Sequence, residues 1–75
     1  MKYFRTYNKL TDTKGRAKGR AFVYYKKLEV TSKTDATRKM NAINARWNAF
    51  QRRSKSSIRV KLVAVKEVTA KGRLK

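Results

Sequence analysis

With 75 residues the chain is one domain, too short to bury more than ~60% of its unfolded surface or to frame a deep catalytic cleft. It has no cysteine and no histidine, which removes disulfides, thiolate metal ligands and the usual neutral-pH proton shuttle. Against 22 Lys and Arg stand four scattered acids, Asp12, Glu29, Asp35 and Glu67, for a net charge of +18 and a pI near 11.2, so no enzyme activity, cofactor or metal is expected.

Residues 2–10 read as a first strand, rich in Tyr, Phe and Thr and free of Gly and Pro. Tyr3, Arg5, Tyr7 and Lys9 share one face; Phe4, Thr6, Asn8 and Leu10 share the other, which is the better core face. Residues 11–19 are a basic loop broken by Gly15 and Gly19 and carrying Lys14, Arg16 and Lys18. The triplet Lys-Gly-Arg occurs at 14–16, 18–20 and 71–73. Glycine lets the backbone approach a surface while the flanking cations reach phosphates; a solvated hairpin tip explains the same residues. Residues 20–30 form a second strand, paired with the first as a long hairpin. One of its faces carries Ala21, Val23, Tyr25, Lys27 and Glu29, the other Phe22, Tyr24, Lys26, Leu28 and Val30. Alternation alone leaves open which is buried, and a bulge near Lys26 and Lys27 would swap the two midway.

Residues 32–53 form the single long helix, and the rest of the chain must fold around its apolar stripe. Ala36, Met40, Ile43, Trp47 and Phe50 recur at spacings of four and three and fall within roughly an 80° arc. Ser32 is the expected N-cap, with Asp35 three residues on in a capping-box pattern. Arg52 and Arg53 suit the negative end of the helix dipole. A polar turn at 54–57 leads to a third strand at 58–69, whose segment LVAV is apolar on both faces and suggests a covered or central strand. The domain spans 1–68, and 69–75 is a basic tail expected to be mobile. The expected fold is therefore α+β, in the order β-β-α-β, with one helix on one face of a three-stranded sheet. Met40, Ile43, Trp47 and Phe50 should be buried against Phe4, Ile58, Val60 and Leu62. The other sheet face is left open, for a partner or for a second copy in a homodimer.

Charge directs the functional reading. A pI above ~9 is the electrostatic signature of nucleic-acid binding. No stretch approaches the ~18 apolar residues needed to span a bilayer, and the first ten residues lack a signal peptide's apolar core, so an intracellular protein without membrane or small-molecule partners is expected. The residues expected to meet nucleic acid are Arg5, Tyr7, Lys14, Arg16, Lys18, Arg20, Tyr24, Arg38, Lys39, Arg46, Arg52, Arg53, Lys55, Lys71 and Arg73. On the sheet, Tyr3, Tyr7, Phe22 and Tyr24 interleaved with Arg5, Arg20 and Lys26 would make a stacking platform for unpaired bases, although the same aromatics could serve as core. On the helix, Arg38, Asn41, Ala42, Ala45, Asn48, Ala49 and Arg52 lie opposite the stripe and could enter a groove of duplex DNA, or form a solvated face in which Ala is simply the best helix former. The expectation is phosphate-dominated binding of RNA or single strands, with double-stranded DNA as the alternative and docking on an acidic protein surface as the rival from another class.

The segment Lys18-Gly19-Arg20-Ala21-Phe22-Val23-Tyr24-Tyr25 resembles the RNP1 signature of the RNA recognition motif, departing at Arg20 where an aromatic is expected. Thr34-Asp35-Ala36 and Met40-Asn41-Ala42-Ile43 are similar to the start of that family's second helix. The likeness covers residues 1–68 as the family's last three strands and last helix; its first strand and first helix have no counterpart. The resemblance implies that Lys18, Phe22 and Tyr24 touch RNA while Val23 and Tyr25 lie in the core. The plain amphipathic reading puts Phe22, Leu28 and Val30 on the core face and Tyr25 outside.

Overall fold

The computed structural model describes residues 1–13 and 22–75; Lys14, Arg16, Lys18 and Arg20 lie outside the described residues. The fold is α+β, with the order β1 (Lys2–Asp12), β2 (Phe22–Val30), α1 (Lys33–Arg53) and β3 (Ile58–Val68). The three strands form one antiparallel sheet in the order β2-β1-β3, and α1 packs on it, most extensively against β3. The central strand is thus β1, not β3 as the apolar run at 62–65 suggests. The first strand's alternation is strict: Phe4, Thr6 and Asn8 are buried, while Tyr3, Arg5 and Tyr7 are only partly covered on the other face.

The register of β1 against β2 runs without a shift from Lys2 opposite Val30 to Leu10 opposite Phe22. Residues directly opposite share a face, so Phe22, Tyr24, Lys26, Leu28 and Val30 stand on the helix side and Val23, Tyr25, Lys27 and Glu29 on the open side. The bulge sits instead in β3. Tyr7 faces Ala64 and Asn8 faces Leu62, leaving Val63 as the extra residue. The bulge changes the phase of β3, so that Ile58, Val60 and Leu62 share the helix side with Val65 while Ala64 turns to the open face. That phase change is why this segment reads as apolar on both faces.

Local sequence sets the helix ends. The Ser32 side chain accepts a hydrogen bond from the Asp35 N–H at 3.1 Å, the expected N-cap. At the other end Lys55 takes φ +59°; its N–H donates to Arg52 O, and the Ser56 N–H to Gln51 O. This is a Schellman cap with lysine in the left-handed position usually given to glycine.

The core lies between α1 and the sheet. Phe4, Val30 and Ala36 form its centre, with Leu28 and Val65 packed against it, and Met40 and Val60 are buried further along. One expectation is overturned here: Ile43, Trp47 and Phe50 are not buried but 37%, 37% and 59% exposed. The helix is rolled so that Asn44 and Asn48 face the sheet. The Asn44 amide donates to buried Asn8 Oδ1 at 2.9 Å, and Asn48 both donates to Val60 O and accepts from Val60 N at 2.9 Å. These directional bonds fix the roll more tightly than the apolar stripe does, because a buried amide left unpaired costs more than a half-exposed aromatic.

The tail makes contacts of its own. Residues 69–75 turn back on β3: the Gly72 N–H donates to Thr69 O, the Thr69 N–H to Arg73 O, and Leu74 bridges Val68. Gly72 has φ +86°, the conformation that this short hairpin demands of its glycine. The third Lys-Gly-Arg triplet is therefore turn chemistry first. Val68 is buried.

Candidate nucleic-acid interface

The open face of the sheet is a ladder of cross-strand rows. Arg5 stands opposite Lys27 on one side and Lys66 on the other; Tyr7 stands between Tyr25 and Ala64, and Lys9 between Val23 and Lys61. A row with an aromatic pair thus lies between two cationic rows, each roughly 7 Å away, two residues along a strand. Directly opposed like charges destabilise a sheet, so three cations abreast are a cost that folding alone does not explain.

Local contacts hold these side chains in place. The Arg5 guanidinium lies 4.8 Å from the Tyr25 ring centroid, and Lys27 Nζ lies 5.3 Å from that of Tyr3; each cation is attracted to a ring's negative face. The Tyr7 and Tyr25 rings are tilted at 6.4 Å. Arg5 also donates to Tyr7 Oη and to Gly72 O, and Lys27 Nζ donates to Ala70 O at 3.0 Å, so the tail turn leans on one end of the platform. Tyr25 remains 65% exposed, and Lys9, Lys61 and Lys66 are exposed.

Negative charge is scarce around this face. Glu29, opposite Tyr3, is its sole acid among the described residues. Asp35 lies in the first turn of the helix, where the Arg38 guanidinium at 2.8 Å, with Lys39 at 3.4 Å, holds its carboxyl below the ordinary value. Lys75 at 2.9 Å lowers the pKa of Glu67. Ser57 donates to the Asp12 carboxylate.

The sequence-predicted residues do not form one cluster. Arg5 and Tyr7 belong to the open face, and Lys71 and Arg73 to the tail turn against it. Arg38 and Lys39 are engaged with Asp35 at the first turn of α1, Arg46 is on the helix flank, and Arg52, Arg53 and Lys55 are exposed at its far end. Tyr24 faces the helix side, opposite Asn8, and with Phe22 it leaves the stacking platform; Phe22 is 65% exposed there rather than core. Phe22 on the helix side, with Val23 and Tyr25 outside, reverses the placement that the RNP1 resemblance implies. Lys9, Tyr25, Lys27, Lys61 and Lys66 were missed. The face of Tyr25 and Lys27 depends on the pairing register, and that of Lys66 on the β3 bulge. Lys9 was legible from simple alternation.

Among the described residues no group of His, Cys, Asp and Glu could hold a metal ion, and no helix is long and apolar enough to cross a membrane. No family model matches this sequence, and no curated protein and no solved structure matches it significantly.

Proposed function

We propose that this protein binds nucleic acid through the open face of the sheet, with single-stranded RNA or DNA as the preferred form. The observation that carries this reading is the row Lys27–Arg5–Lys66 beside the pair Tyr7–Tyr25. Cations abreast repel one another until an anion lies across them; phosphates supply that anion, and the release of their condensed counterions favours the contact, most strongly at low salt. The exposed Tyr25 ring offers a surface on which an unpaired base stacks without regard to sequence. Arg5, already over that ring, extends the stack by cation–π contact. The net charge of +18 supplies the long-range attraction that brings a polyanion to this face.

Replacing Tyr25 tests this directly, because its side chain is mostly in solvent. Tyr25→Ala should leave the thermal melt nearly unchanged and weaken binding of a single-stranded oligonucleotide by ~1–3 kcal/mol. Binding that is undiminished, or equal loss for duplex and single strand, would remove stacking from the reading. Failure of wild type to retain any polynucleotide in ~0.2 M salt would remove the reading itself.

A further inference from the structure

The tail turn falls on two of the three cations in the row Lys27–Arg5–Lys66. Arg5 donates to Gly72 O, and Lys27 Nζ donates to Ala70 O. Two neutral carbonyls of the chain's own backbone thus occupy donors of that row. The third cation, Lys66, is exposed.

Little holds the turn in place. Its backbone bonds run from the Thr69 N–H to Arg73 O, from the Gly72 N–H to Thr69 O and from the Lys75 N–H to Glu67 O, at 2.7, 2.8 and 3.3 Å. The ion pair of Lys75 with Glu67 is in partial contact with solvent, where such pairs contribute little. Val68, opposite Tyr3 on the open face, is buried, but Leu74, which bridges it, is 56% exposed. The turn also depends on Gly72 at φ +86°, a conformation that a residue with a Cβ adopts only under strain. A segment with so few buried apolar contacts opens at low cost.

Arg and Lys gain more from an ionised phosphate oxygen than from a neutral carbonyl, because Coulomb attraction adds to the hydrogen bond. A strand laid along Lys27–Arg5–Lys66 must take two of its donors from Ala70 O and Gly72 O. We infer that the turn at 69–75 is a displaceable strap on the open face: closed, it occupies Arg5 and Lys27, and a bound single strand takes both donors and releases the turn. The inference rests on the proposed binding at that face and adds how its strength is set, since apparent affinity scales with the fraction of molecules in which the strap is open.

A reversible lock tests it. Val68 and Leu74 form a non-hydrogen-bonded pair, because the residues flanking them carry the bonds; such pairs bring side chains close enough for a disulfide. The chain has no cysteine of its own. Val68→Cys with Leu74→Cys therefore gives one protein, locked when oxidised and free when reduced, at the same charge. Oxidation should weaken binding of a single-stranded homopolymer about tenfold. It should also flatten log K against log salt by roughly 1.4, for two lost phosphate contacts. Gly72→Val, also charge-neutral, puts a β-branched residue in the left-handed region and should tighten binding severalfold. In the wild type, amide exchange at Thr69 and Gly72 should quicken on saturation with the homopolymer. Equal binding by oxidised and reduced protein would overturn the inference. So would tighter binding on oxidation or weaker binding by Gly72→Val, either of which would make the closed turn part of the binding surface. If the wild type binds and loses affinity on Tyr25→Ala while the lock changes nothing, the strap alone falls. If the wild type binds no polynucleotide in ~0.2 M salt, the binding reading falls and the strap with it.

Discussion

Asn8 and Asn44 determine how the helix sits. Asn44 donates to Asn8, Asn8 donates to Thr6, and the Thr6 hydroxyl donates to Lys26 O, so a polar chain crosses the core from helix to β2. Among the described residues every buried side-chain N and O has a partner. Removing one member leaves another buried and unpaired. Asn44→Leu or Asn8→Leu alone should therefore cost ~1–3 kcal/mol, whereas the double replacement should cost less than the sum, since exchanging both partners for apolar groups is close to neutral. Chemical denaturation of the four proteins checks this, and additive losses would mean that the pair carries no coupling. In the double variant the helix is free to roll, and Trp47 emission should move to the blue. This is also where sequence reading stopped. Ile43, Trp47 and Phe50 carry the obvious periodicity, but two asparagines 36 positions apart gain their value only once a register brings them together. Asp35 was legible as the first-turn acid three residues after Ser32, but its local ion pairs with Arg38 and Lys39 were not. Arg38, then Lys39, favours its ionised form. Its folded pKa is lowered, so its contribution is complete above the ordinary value near 3.8 and is lost as pH falls through the lower folded value. Melts from neutral pH downward should show stability falling below about pH 4, with a shallower fall for Asp35→Asn.

The elements that local chemistry dictates were the readable ones. Ser32 and the arginines at 52 and 53 mark the helix to within a residue of its observed span, Lys33–Arg53, because caps act over a single turn. Strand order and the bulge were not readable. The apolar run at 62–65 resembles a central strand, yet its double-sided character comes from one extra residue that changes its phase. The helix's far end makes a separate prediction. Lys55 holds φ +59°, a conformation that costs an L-residue with a Cβ roughly 1 kcal/mol relative to glycine. Lys55→Gly should therefore raise stability by up to ~1 kcal/mol, part of it offset by the greater freedom of glycine in the unfolded chain. A lower melting temperature would mean that the Lys55 side chain contributes more than its backbone strain removes.

At the scale of the whole molecule, charge should set stability against the proposed binding. Raising salt from ~0.01 to ~0.15 M shortens the Debye length from ~30 to ~8 Å, so self-repulsion among charges totalling +18 should fade and the melting temperature should rise. Affinity for a single strand should fall over the same range. With Arg5, Lys9, Lys27, Lys61 and Lys66 on phosphates, log K should drop against log salt with a slope of roughly −3 to −4. One substitution separates these opposing effects without changing salt. Lys66 stands directly opposite Arg5 and is exposed. Lys66→Glu exchanges a repulsive cross-strand pair for an attractive one, a change of ~0.2–1 kcal/mol in favour of folding. It also brings a carboxylate into the proposed phosphate path, so single-strand affinity should fall and the salt slope should flatten by roughly one. A more stable protein that binds less well is the behaviour of a surface held in tension for a ligand. If the variant is stabilised and binds as before, the row Lys27–Arg5–Lys66 is a solvated face and the interface lies elsewhere on the molecule.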